Sequence, residues 1–225
     1  MSERKLSIVC VVWLLQGCVT MPNKERNMSI KEQDTISFVT IEQGSPRADV
    51  LRSKALPLSF PLSKADKRDI ETLKAKFFAT ENCAGLAAPQ IGIGKQILIY
   101  EVDEVVKEWR DDVHEIIAPR ILINPSYKAL DNDKTIDWEA CFSVASQYGE
   151  VPRFKAISFE GFDEQGNHVS GKATGFHARV LQHEIGHLNQ ELFFDLYTNE
   201  CRHGDFETMR AIRLKELAEK GKKPL

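Results

Sequence analysis

Residues 182–188 read Gln-His-Glu-Ile-Gly-His-Leu. On a helix, His183 and His187 stand on one face, one turn apart, so that their imidazoles can share a metal ion. Glu184 follows the first histidine and can lean toward the same ion as a general base, an arrangement used by zinc hydrolases. Such an ion needs a third protein ligand. One continuation of the motif would place a histidine at 193, and Phe193 stands there instead. Glu200 or Glu207 downstream and Cys141 upstream are the open candidates. Without a metal, the same residues describe a buried helix with hydrogen-bonded histidines.

The rest of the chain has to position that helix. Its 225 residues suit one domain with extensions, and 42% hydrophobic and 28% charged residues are ordinary for a soluble globular protein. A net charge of -3 with no basic block gives no basis for nucleic-acid binding. Five cysteines form no disulfide framework, and the absence of a Cys-x-x-Cys pair argues against a zinc ribbon.

Residues 1–18 have a basic start at Arg4 and Lys5, an apolar run from Leu6 to Leu15, and end in Leu15-Gln16-Gly17-Cys18. The run is too short to span a bilayer and suits a signal segment. Its ending resembles a bacterial lipobox, which implies lipidation of Cys18 and anchoring in the cell envelope, although Gln16 departs from the usual small residue. A start at Met21 or Met28 would instead give a cytoplasmic protein. Residues 19–36 are polar without periodicity and read as a tether. The folded domain is expected over 37–198, followed by a charged tail, 199–225, with a helix from Phe206 to Lys220.

Within the domain, Ser63 and Asp66 form a capping box for a helix from Lys64 to Thr80, with Ile70, Leu73 and Phe77 on its apolar face. Cys83 to Gly92 is rich in small residues, and Pro89 keeps it out of a helix interior. It reads as a tight loop that either packs on a sheet or presents backbone groups and the Gln90 amide to a substrate. Strands are expected at Ile97–Val102 and at 116–124, ending at Asn124-Pro125. The charged stretch 103–115 reads as a surface excursion. A strand from Lys155 to Gly161, a turn at 163–167 and a strand from His168 to Lys172 form a hairpin. His168 and His177 read as surface or partly packed residues. The motif helix is expected over Phe176–Asn189, with Gly186 costing about 1 kcal/mol relative to alanine, tolerable if that position crowds a metal site. A cysteine in an apolar stretch, as at Cys141, is by itself more often a small core residue than a ligand.

Three stretches, taken in order, resemble the peptide deformylase family. Cys83-Ala-Gly-Leu-Ala-Ala-Pro-Gln90 resembles the family's Gly-x-Gly-Leu-Ala-Ala-x-Gln. Glu139-Ala-Cys-Phe-Ser143 resembles Glu-Gly-Cys-Leu-Ser, and Gln182-His-Glu-Ile-Gly-His187 resembles Gln-His-Glu-x-Asp-His. Gly44-Ser45-Pro46 and Val151-Pro152-Arg153 extend the likeness, which runs from about Ser37 to Thr198. Cys83, Ala140, Phe142 and Gly186 depart from the family pattern, Cys83 by adding a side chain near the substrate and Gly186 by removing a carboxylate.

The resemblance implies an α+β fold, with antiparallel sheets around a central helix that carries the His-Glu-x-x-His motif. It implies Cys141, His183 and His187 as ligands of one divalent ion, Fe2+ by family likeness, with Zn2+, Ni2+ or Co2+ as substitutes. The implied reaction removes the formyl group from N-formylmethionyl peptides. Glu184 would move the proton, and Gln90 with the Phe142 N–H would steady the oxyanion. Gly85 and Leu86 would line the substrate's path. Val180 and Phe176, one and two turns before His183, would wall a methionine pocket or else simply pack the core. Two alternatives are a zinc endopeptidase using Glu200 or Glu207, and a non-catalytic envelope lipoprotein that binds blocked N-termini. Intact ligand positions and an intact Glu184 argue against the last, because a pure binder has no use for a general base.

Overall fold

A computed structural model describes residues 36–42 and 45–222. The signal and tether expected over 1–36, Cys18 and the alternative starts Met21 and Met28, and Gly44 lie outside the described residues, apart from Ile36. No described helix is long and apolar enough to cross a membrane.

Among the described residues, eight strands form two antiparallel sheets. The larger has the order β1 (Gly85–Ala87), β2 (Ile97–Val102), β3 (Ile117–Ala129), β6 (Ala156–Phe162), β7 (His168–Thr174). The smaller has the order β4 (Lys134–Glu139), β5 (Gln147–Phe154), β8 (His203–Asp205). The three α-helices among the described residues, α1 (Lys64–Ala79), α2 (Gly175–Leu188) and α3 (Phe206–Glu219), pack on them. This is the expected α+β arrangement.

Successive side chains of a strand point to opposite faces, and β2 shows why it carries no polar face. Leu98, Tyr100 and Val102 pack in the cluster that receives Ala178, Leu181, Ile185 and Leu188 of α2. Ile97 and Ile99 pack with Ile70, Leu73 and Phe77 of α1 on the other side. Each fully buried leucine, isoleucine, valine or phenylalanine among them contributes roughly 1.5–3 kcal/mol. The capping box forms as expected, with the Ser63 hydroxyl accepting from the Asp66 N–H and the Asp66 carboxylate accepting from the Ser63 N–H.

Strand β3 does not stop at Asn124-Pro125. The pairing with β6 shifts register between Ile123 and Ser126, and Asn124 adopts φ 49°. This irregularity accommodates a proline that cannot donate to a ladder, and the strand resumes beyond it. The Asn124 amide pairs with both the N–H and the C=O of Leu58, at 2.8 and 2.9 Å, which holds the extended segment before α1. Stretch 103–115 is not a surface excursion throughout. Arg110 is only 4% exposed and pairs with Asp112 and Asp137.

Helix α2 is buried along nearly all its length. It begins at Gly175, where φ is +56° and an added Cβ would lie 2.1 Å from the Asp112 carbonyl oxygen, so only glycine fits. Gln182 ties the helix to β5, accepting from the Phe154 N–H at 3.0 Å and donating to its C=O at 2.9 Å.

Candidate metal centre and active site

Cys141 lies just past β4, and His183 and His187 lie on α2. Their ligand atoms all fall within 4.8 Å of one another. Cys141 Sγ is 3.3 Å from His187 Nε2. The Nδ1 of His183 is 2.8 Å from the Glu139 carboxylate, which leaves its Nε2 for the cluster. A carboxylate behind a ligating imidazole fixes its tautomer and orientation. Neither Glu200 nor Glu207 belongs to this cluster, and both are exposed, so the ligand set expected for an endopeptidase does not assemble. One thiol and two imidazoles make a donor set suited to a borderline divalent cation.

Glu139 is the hub beneath the cluster. It is 7% exposed, accepts two hydrogen bonds from Arg153 at 3.0 Å and one from Arg179 at 2.7 Å, besides facing His183. Burial alone would raise its carboxyl, but Arg153 and His183 outweigh burial and hold it well below the usual carboxylate range. Burial likewise works to lower His183, and the neighbouring Cys141 and Glu139 raise it to about 10. His187 is driven well down by burial and by His183.

Glu184 packs against Gly85 of β1 and lines the same cavity as Cys141 and His183. It is 4% exposed, and its Oε2 has no hydrogen-bond partner. Burial pushes its carboxyl up to about 7. The motif's glycine at 85 has a steric reason, since a Cβ there would lie 2.6 Å from both Cγ and Oε1 of Glu184. Gln90 is held by the Ala87 N–H, which donates to Oε1 at 2.8 Å, and this turns its Nε2 toward Cys141 Sγ at 3.5 Å. Residues 36–42 lace the two motif loops together, the Val39 N–H donating to Gln90 C=O and the Ile41 N–H to Ser143 C=O.

A cavity of about 510 Å³ opens from this cluster. Gly85, Gln90, Phe142, Phe176 and Val180 all line it. Leu86 does not. Its side chain is fully buried with the α1 residues, leaving only its backbone at the sheet edge. Phe142 is 38% exposed, and its ring stacks on Phe38 at 4.7 Å. Cys83 also turns away into the α1 core, its thiol pushed up by burial, so it adds nothing to the cavity. The expected reason for Gly186 changes as well. A Cβ there would meet Glu191 Oε1 at 3.1 Å, and Glu191 pairs with Arg153 at the same distance. Glu191 therefore brings a carboxylate to the space beside position 186, where the family's aspartate is missing.

The sequence reading did not single out Arg179, Trp109, Arg110 or the α3 residues, all of which reach the site or its cavity. Arg179 had a signal available, a charged residue on an otherwise apolar helix. His177 is not the surface or partly packed residue expected but buried, with Nδ1 2.7 Å from Glu115 and its ring stacked on Tyr100.

Residues 39–203 match the family model described as polypeptide deformylase. Peptide deformylase 2 of Rickettsia conorii is 46% identical over 173 residues, covering 76% of this chain and 85% of that protein. The mitochondrial peptide deformylase of Homo sapiens is 34% identical over 158 residues, 65% of this chain and 63% of that one. Among solved structures, a class I type b peptide deformylase from Acinetobacter baumannii bound to Met-Ala-Ser aligns with a TM-score of 0.61 at 25% identity, covering 72% of this chain and 98% of that one. Peptide deformylase from Ehrlichia chaffeensis in complex with actinonin aligns at 0.60 and 25% identity, covering 82% and 96%.

Proposed function

The chain belongs to the peptide deformylase family, and we propose that it releases formate from N-formylmethionyl peptides using one divalent ion held by Cys141, His183 and His187. The observation that carries this reading is the convergence of those three ligand atoms beside a buried carboxyl, Glu184, whose Oε2 has no hydrogen-bond partner. Family likeness favours Fe2+, and the donor set also suits Zn2+, Ni2+ or Co2+. When bound, such an ion supplies Lewis acidity and makes a water acidic enough to attack near neutral pH.

The chain's own groups supply the rest. Glu184 takes the proton of the attacking water and passes it to the departing amine. Gln90 Nε2, fixed by Ala87, donates to the oxygen that becomes negative, and the Phe142 N–H is assigned as the second donor. Gly85 leaves room for Glu184 and lets the peptide backbone approach. Val180 and Phe176 wall the space for the methionine side chain, against Trp109. Location follows the pattern at Leu15–Cys18, with the lipid on Cys18 anchoring the domain in the envelope. Labelled palmitate incorporation that is lost in Cys18→Ser would test that part alone.

The main test is formate release from formyl-Met-Ala-Ser by protein loaded anaerobically with Fe2+, and separately with Zn2+. Glu184→Gln should lower kcat by about a thousandfold, within the range of general acid–base catalysis, while metal content stays at one ion per chain. Retained turnover in that variant would remove Glu184 from the chemistry. Cys141→Ala should abolish metal binding, whereas Glu200→Ala and Glu207→Ala should leave it intact.

A further inference from the structure

The cavity has a second wall that the chemistry above does not use. Helix α3 contributes Phe206, Arg210, Arg213, Leu214 and Leu217 to it, at spacings that form one helical face. The charges along this wall are unequally matched. Arg110 is met closely by Asp112 at 2.8 Å and by Asp137 at 2.6 Å. Arg179 is met by Glu139 at 2.7 Å. Arg213 is met only at longer range, by the Trp109 C=O at 3.4 Å, Glu216 Oε2 at 3.6 Å and Asp137 Oδ1 at 3.9 Å.

Both acids near Arg213 have closer partners. Asp137 Oδ2 accepts from Arg110, and Glu216 Oε2 accepts from Trp138 Nε1 at 3.1 Å. The Arg213 side chain is 11% exposed, so water does little to solvate it. The planar fork of a guanidinium matches a carboxylate. Arg210 adds a second guanidinium to the same wall, at an exposed position.

We propose that Arg213, with Arg210, binds a carboxylate carried by the peptide downstream of its formylmethionine, so that the enzyme selects formyl peptides with negative charge there. The inference rests on the deformylase reading for where the formyl end lies. The carboxylate has two chemical sources, an acidic side chain or the free C-terminus of a short peptide.

Two substrate pairs distinguish them, assayed on the metal-loaded full chain. One pair is formyl-Met-Ala-Ser and its C-terminal amide. The other is formyl-Met-Ala-Glu-amide and formyl-Met-Ala-Gln-amide. A charge-assisted contact should give about a tenfold preference in kcat/KM for the anionic member of at least one pair. That ratio should fall toward one in Arg213→Gln, take an intermediate value in Arg213→Lys, and shrink with added salt. Ratios near one for both pairs in the unaltered protein, or a ratio that survives Arg213→Gln, would overturn the proposal. Calorimetric binding of Met-Ala-Ser against its amide, and of Met-Ala-Glu-amide against Met-Ala-Gln-amide, reads the same contact without turnover. Absent formate release alone would break the deformylase reading, whereas equal affinities within both product pairs would break this one.

Discussion

On the α2 side of the cavity, Glu139 and its partners Arg153 and Arg179 are each under a tenth exposed. In a separate cleft beside α3, an outer wall, Arg202 spans Glu150 and Glu216 with half of its side chain in water. Both walls use Arg–Glu pairs, yet the pairs do different work. In the buried wall every charge depends on the others, because none has water to fall back on. That rigidity suits ligands that must meet one cation. In the outer wall a lost partner is replaced by solvent.

The largest expected difference between the walls comes from Glu139→Gln. It leaves two buried guanidinium groups short of a countercharge and removes the acceptor behind His183. The expected loss is about 3–5 kcal/mol of stability, together with metal affinity lowered about 10–100-fold. Denaturant unfolding and metal titration measure the two effects. A stability loss under about 1 kcal/mol would mean the inner wall is no more interdependent than the outer one.

Gly85→Ala tests the same wall by crowding. The new Cβ would meet Glu184 Cγ and Oε1 at 2.6 Å, so either Glu184 or β1 must move. Displacing a proton-transfer group by about 1 Å costs on the order of a hundredfold in rate. Steady-state kinetics should show that fall in kcat, with metal content unchanged. Full activity would mean that Glu184 tolerates displacement.

How much of this was legible in the sequence follows the same division. The His-Glu-x-x-His helix, β2, the β6–β7 hairpin and the Ser63–Asp66 cap are local patterns, and local patterns survive folding. The convergence of Cys141 with the two histidines came from motif likeness, since no spacing links residues over forty positions apart. Strands β4 and β5 were missed because their exposed positions carry charges, Pro152 interrupts the strand pattern, and β5's outer partner is β8, far along the chain. Arg110 sat in a stretch whose charge density suggests solvent, and its burial depends on Asp137 from a different strand. The α3 wall reads as a tail in the sequence because its apolar residues are sparse, and its cavity face exists only once β5 and β8 are in place.

Glu191 sits between these extremes, partly exposed and paired with Arg153. Gly186→Asp alone should destabilise by about 1 kcal/mol, because it sets a second carboxylate against Glu191 Oε1. Glu191→Gln alone should cost a similar amount. The double variant Gly186→Asp with Glu191→Gln should recover most of both losses, since either carboxylate can serve Arg153. Strictly additive losses in this cycle would show that position 186 and Glu191 do not share one role.

The smallest effect is expected at the outer wall, in Arg202→Ala. Arg202 pairs with Glu150 and Glu216 at 2.5 Å and lies over the Trp138 ring at 5.0 Å. Its exposure keeps the expected loss at about 1 kcal/mol or less, shrinking as salt rises. The pH dependence has a definite sign. Burial works to raise the Glu150 carboxyl, but Arg202 outweighs it and holds it below its ordinary 4.5. A carboxyl depressed in the folded state contributes stability that is present above 4.5 and is lost as pH falls through the folded value. The gap between the unaltered protein and Arg202→Ala should therefore be level near neutrality and narrow on acidification below that point. A gap that instead widened in acid, or one insensitive to salt, would mean that Arg202 acts mainly by packing on Trp138, and the contrast between a buried and a solvated wall would then rest on shape more than on charge.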